Sequence, residues 1–331
     1  MRRRTVLQLA ALTLASPARV LAQAPRRFRA GCLWIADEAA AKPFVEALLA
    51  GLRDLGYVSG RNLVVDMRYA SGDSSRLPAL ADELIALKPD VLIGIEGSAV
   101  AMKAKTATIP IVLTYSADPI GAGLVQSLAR PGTNVTGMAY LSDQLVAKHI
   151  ELLTEIVPKM QRVALLNYAA LPNEPIARVT AYSEQVAKTA AAAKGLKLTV
   201  ASARDAEGVR HAFAQLERAR PEGIVVFPTG PTYLLRHEII GHARRLRLPL
   251  ISSMPIAWVE DGGLLNYGPN FLETYRYAAT FVDRIFKGVK PAELPVQQPT
   301  NFEFVVNLKA AREIGIKIPR SVLLRADRVI E

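Results

Sequence analysis

The side chains that most often carry chemistry are scarce in this 331-residue chain, which has four histidines and one cysteine. His237 and His242 bracket the stretch HEIIGH, which approaches the HExxH zinc helix. That motif sets its histidines four apart so that both face one way; here they are five apart and diverge around a helix. His149 and His211 sit in helical patterns with no Cys or acidic partner at metal spacing. Cys32 lies within FRAGCLWIA, a buried-strand pattern. A lone cysteine forms neither an internal disulfide nor a thiolate zinc cluster. GxSxG, the Walker A loop and GxGxxG are absent, and no Ser or Cys has a motif-spaced base as an exported hydrolase would need. No metal, no cofactor and no catalytic residue is expected.

What remains is a set of short polar loops, each at the carboxyl end of an expected strand, where open α/β sheets bind ligands. They are Asp37-Glu38, Glu96-Gly97-Ser98-Ala99 and Tyr115-Ser116-Ala117-Asp118 in the first half of the chain. The second half offers Asn167-Tyr168, Pro228-Thr229-Gly230 and Ser252-Ser253. Gly97-Ser98 opens a helical pattern, so its free backbone N–H groups and the helix dipole could hold a carboxylate; Ser98 could equally cap its own helix. Asp118-Pro119 reads as a helix start, an N-cap Asp followed by Pro, or as a carboxylate that receives a ligand ammonium. Tyr115 and Tyr168 could stack on a ligand.

The elements that must position these loops follow from the apolar rhythm. Strands are expected at 29–36, 62–70, 90–95, 109–115 and 135–139, then at 162–168, 196–202, 223–228 and 248–253, with FEFVVN as a final strand. Helical patterns with apolar residues three and four apart alternate with them. Strands unbroken by polar residues belong to parallel sheets covered on both faces. Two such rounds imply two lobes. A (β/α)₈ barrel fits less well, because the chain closes with a long helix, FLETYRYAATFVDRIFKG, the proline-spaced KPAELPVQQPT and one more strand.

Arg2, Arg3 and Arg4 precede the apolar run VLQLAALTLA and then AQA, which reads as a secretory signal over residues 1–24, by the Sec or the twin-arginine route. Cys32 is too far from that run, with Arg26, Arg27 and Arg29 between, to be a lipoprotein cysteine. The chain carries 41 Lys and Arg against 30 Asp and Glu. No basic block stands out, so the charge reads as a solvated surface and no nucleic-acid partner is expected. A periplasmic location follows.

Three long strings carry a resemblance: GYVSGRNLVVDMRYASGDSSRLPALADELIALKPDVLI, IPIVLTYSADPIGAGLVQSLARPGTNVTG and NFEFVVNLKAAREIGIKIPRSVLLRADRVIE. With them the chain resembles the ABC-transporter substrate-binding proteins of the tryptophan/tyrosine-binding-like family over about residues 28–331. The resemblance implies a type I periplasmic binding protein fold, α/β, with two Rossmann-like lobes and a hinge of three crossovers. Lobe one would be 28–139 plus 265–300, and lobe two 140–264 plus 301–331. It implies a ligand carboxylate near Gly97-Ser98-Ala99, with Thr114–Asp118 as a cleft wall and PIGAGLVQSLARPG as the helix after it. The implied function is a monomeric solute-binding protein that closes over a small organic, amino-acid-like ligand and passes it to an ABC permease of the inner membrane. A sensor of the same fold, presenting ligand to a membrane receptor, is the alternative.

Overall fold

Apolar runs such as VLIGI and IVLTY become strands whose first four residues are all buried, as helices on both sheet faces require. The computed structural model describes residues 27–331 except 141, 142, 173 and 175; the export signal expected over 1–24 lies outside them. The first half gives β1 (Phe28–Trp34), α1 (Glu38–Asp54), β2 (Leu63–Tyr69), α2 (Leu77–Ala86), β3 (Val91–Ile95), α3 (Glu96–Lys103), β4 (Ile111–Tyr115) and β5 (Val135–Gly137). Its five strands lie in the order β2-β1-β3-β4-β5, all parallel.

The second lobe continues with α4 (Asp143–Ile156), β6 (Arg162–Tyr168), α5 (Ile176–Ala193), β7 (Lys197–Ala203), α6 (Ala206–Ala219) and β8 (Ile224–Val226). There follow α7 (Gly230–Leu234), α8 (Arg236–Arg245), β9 (Leu250–Ser252), α9 (Ala257–Glu260) and β10 (Leu265–Pro269). The chain then runs through α10 (Phe271–Phe286), β11 (Phe302–Asn307), α11 (Leu308–Ile314), α12 (Arg320–Leu323) and β12 (Arg328–Ile330). The second sheet is ordered β12-β11-β10-β9-β8-β6-β7, parallel except for the antiparallel pair β10–β11.

Helix α10 returns to the first lobe, where Phe281, Val282 and Ile285 share a core with Leu48 and Leu52 of α1. Gly51 makes that contact possible. A Cβ there would lie 2.3 Å from the Arg276 carbonyl oxygen, so any side chain would push the two helices apart. The ion pair of Asp54 with Arg276 and the Tyr57–Asp283 hydrogen bond (2.9 Å) fix the same interface.

Three crossings join the lobes, after β5, at Asn270 and over 294–301. They are laced side by side: Ala139 N donates to Gln297 O (2.8 Å), Gln297 N to Gly137 O (2.9 Å), and Asn270 N to Asn301 O (3.3 Å).

Two expectations need correction. Residues 265–269 are not part of the first lobe; as β10 they pair with β9 and β11 in the seven-stranded sheet, so the chain crosses at Asn270. PIGAGLVQSLARPG is not a helix but a series of turns. Gly121 and Gly123 each cost a helix about 1 kcal/mol, and Gly123 takes φ +68°. Lys103 Nζ instead donates to the Gly123 and Leu124 carbonyls (2.5 and 3.2 Å).

Candidate functional site

The carboxyl ends of β1, β3 and β4 in one lobe meet those of β6, β8 and β9 in the other across a cleft. The lobes approach each other at several places, among them Gly230, Gly72 and Phe44. A Cβ on Gly230 would stand 3.6 Å from Ile35 Cγ2 and 3.9 Å from Ile95 Cδ1, and one on Gly72 would stand 3.5 Å from Leu234 Cδ1. The rings of Phe44 and Tyr233 meet edge to face, 6.5 Å apart.

Two adjoining cavities occupy the cleft and share Ile35, Ile95, Tyr115 and Pro228–Gly230. The larger, about 420 Å³, runs from Leu77, Glu96, Gly97 and Val100 to Tyr168, Ile176 and Pro231. The smaller, about 100 Å³, is walled by Trp34, Phe44, Phe271 and Tyr275 of the first lobe and by Tyr233, Ser253 and Met254 of the second. A volume of this size, mostly apolar with a few convergent polar groups, suits a small organic molecule.

Seven of the fourteen expected site residues are brought together here: Glu96, Gly97, Tyr115, Tyr168, Thr229, Gly230 and Ser253. The other seven do not line the cavities. Asp37 and Glu38 are exposed, and Asp37 caps α1 by accepting from Ala40 N (2.8 Å). Ser98 and Ala99 are turned into the core, and the Ser98 hydroxyl there lacks a hydrogen-bond partner. Ser116 is buried behind Glu96. Asp118 folds back to accept from Gly121 N (2.7 Å), capping a turn rather than a helix. Asn167 ties β6 to α5 by donating to Thr180 O (2.9 Å).

Of the aromatic wall, only Tyr115 is expected from the sequence. Trp34 is buried at the end of β1 and stacks on Tyr275 at 5.7 Å, with Phe44 5.0 Å from the same ring. Burial pushes the Tyr275 phenol up to about 12. Tyr115 sits 5.6 Å from both Tyr140 and Phe271. Phe44, Phe271 and Tyr275 lie on apolar helix stripes, which look the same in sequence whether they fill a core or edge a cavity.

The charges are few. Among the described residues no Lys, Arg or His lines either cavity. Glu174 faces the larger one, but Arg204 grips it with two hydrogen bonds (2.5 and 3.1 Å) and holds its carboxyl below the usual range. Arg236 stacks on Tyr233 at 4.5 Å and pairs with Asp261 (2.6 Å). Glu96 is the first residue of α3 and 93% buried; its Oε2 accepts from the Ser116 hydroxyl (2.5 Å) and from Asp118 N (3.0 Å). The helix end expected to hold a ligand carboxylate therefore already carries a carboxylate of its own.

Two lobes face each other across an apolar cleft that is lined by strand-end loops of both. The chain matches the family of ABC transporter substrate binding proteins over residues 33–330, and it belongs to that family. A tyrosine-binding protein of Clostridioides difficile is 34% identical over 139 residues, 41% of this chain and 38% of that relative. The matched stretch thus spans well under half of that relative's length. A conserved domain protein from Vibrio cholerae is 31% identical, with a TM-score of 0.83 over 92% of this chain and all of the other. An ABC domain from Streptococcus pneumonia, solved with L-Trp, has the same fold at 24% identity, with a TM-score of 0.82 over 92% of this chain and all of its own. Both share the two-lobed α/β fold of this chain, and the family is one of substrate-binding proteins.

Proposed function

We propose that this protein is the periplasmic solute-binding component of an ABC importer, capturing a small organic ligand between its lobes and presenting the closed form to a permease. The observation that carries the reading is the pair of joined cavities whose walls come from both lobes. A ligand there contacts both walls only when the lobes are together, so it binds the closed arrangement better and shifts the population toward it. The relatives point the same way: one is a tyrosine-binding protein and one was solved with L-Trp. No helix among the described residues is long and apolar enough to cross a membrane.

The test is a thermal-shift screen against amino acids, aromatic amines, aromatic acids, nucleosides and sugars. A ligand at about 100 times its Kd adds roughly 2.7 kcal/mol to stability. The reading predicts a hit that disappears in Gly230→Phe, where a ring would wedge between Ile35 and Ile95. A hit retained in the folded variant would place binding outside the cleft.

A further inference from the structure

Glu96 holds the cleft's uncompensated charge. It is 93% buried, and neither cavity is lined by a basic side chain among the described residues. The other carboxylate at the wall, Glu174, is matched by Arg204. Three groups face the Glu96 carboxylate: the N-terminus of α3, the Ser116 hydroxyl and the Asp118 amide. All three are dipoles, so none cancels the net charge. A buried carboxylate with no cation beside it is costly.

The surroundings are apolar and aromatic. Tyr115 lines the same cavity as Glu96, with Ile95, Val100, Leu77 and Ile176 completing its apolar walls, while the Tyr168 ring at the opposite wall is already covered by Arg204. Aromatic faces attract cations, whereas a ligand carboxylate at the start of α3 would meet the Glu96 charge at close range with no basic side chain to offset it.

We propose that the ligand is an organic cation: an ammonium paired with Glu96, on an apolar body that fills the aromatic-walled cleft and bears no carboxylate. This rests on the cleft reading above and names its ligand class. The ammonium would replace the missing countercharge, and the aromatic wall would cover the remainder. An amino acid would keep the ammonium contact but bring an anion that no cavity-lining cation meets.

Four probes of similar shape test this by titration calorimetry: tryptamine and phenethylamine as cations, tryptophan as zwitterion, indole-3-propionate as anion. Either amine is expected to bind more tightly than tryptophan, and indole-3-propionate to bind least. Glu96→Gln should weaken amine binding about tenfold or more, while the ligand-free melting temperature stays or rises because a buried charge is gone. Ser116→Ala, which frees the carboxylate from its clamp, should weaken amine binding by a smaller factor. Should Glu96→Gln not fold, the ranking of the four probes on the wild-type protein decides alone.

The proposal is overturned if tryptophan or indole-3-propionate binds more tightly than both amines, if neither amine binds, or if folded Glu96→Gln keeps full amine affinity. Gly230→Phe separates the two levels. Tight tryptophan binding that this variant abolishes overturns the ammonium assignment and leaves the cleft intact; amine binding that it spares overturns both.

Discussion

The two walls of the cleft are built alike, strand to loop to helix, yet they differ in what they offer. The first lobe presents large rings backed by core: Trp34 on Tyr275, Phe44 beside them, and Tyr115 against Phe271. It also presents Glu96, the one carboxylate there without a basic partner among the described residues. The second lobe presents small loops, Pro228–Pro231 and Ser253–Pro255, and its two tyrosines are each covered by an arginine already paired with an acid. On the proposed reading this difference divides the roles: the first wall would select the ligand, and the second would close on it.

The lobes also bury ionisable groups differently. Glu96 sits at a cavity rim with dipoles turned toward it. His149 of α4 is sealed in the second lobe, its Nε2 2.8 Å from the Tyr267 carbonyl oxygen and its Nδ1 without a partner among the described residues. Burial lowers its pKa to about 4, so the imidazole is neutral in the folded protein.

The contrast can be tested at four points. Trp34→Ala should have the largest effect, because it removes a buried ring from the selecting wall. Losses of about 3–5 kcal/mol are usual for such truncations, read by urea unfolding; a loss below about 1 kcal/mol would mean the aromatic wall is not integral to the lobe.

The next effect belongs to His149. Below its unfolded pKa near 6.5 the unfolded chain takes up a proton that the folded protein refuses, so stability falls as pH drops from about 6.5 toward 4. The full difference is roughly 3 kcal/mol, absent above about pH 7. Comparing wild type with His149→Gln across that window isolates it. Parallel pH profiles would contradict the sealed, neutral histidine.

Gly230→Phe is third. It should weaken ligand binding about tenfold or more, the effect of 1.4 kcal/mol, with little change in ligand-free melting temperature. That outcome assigns closure to the second wall, and unchanged binding would break the division of roles. Ser98→Ala is the smallest. Its hydroxyl is buried and unpaired, so removal should be neutral or stabilising by up to about 1 kcal/mol, with ligand affinity unchanged.

Ser98 also shows where sequence reasoning stops. Glycine followed by a hydroxyl at a helix start is legible; which way the hydroxyl points depends on the turn of α3 against β3. Here the Ser98 Cβ lies only 2.8 Å from where a Gly94 Cβ would be, which places it under the helix. The alternation of strand and helix was readable because apolar runs and three-to-four spacing differ in period, and the strand-end loops followed from it. Beyond Tyr115, the aromatic wall was not readable. Phe44 and Tyr275 reach the cleft because α10 returns from the second sheet onto α1 through Gly51, a contact between residues more than 200 positions apart. The switch of 265–269 to the other sheet was hidden for the same reason: pairing partners are not a local property.

The most direct test of cleft capture is amide hydrogen exchange, with and without the screened compound that raises the melting temperature most. The account predicts added protection in both lobes at once, over 95–101 and over 229–235, with the outer helices α6 and α11 unchanged. Protection confined to one lobe would contradict it.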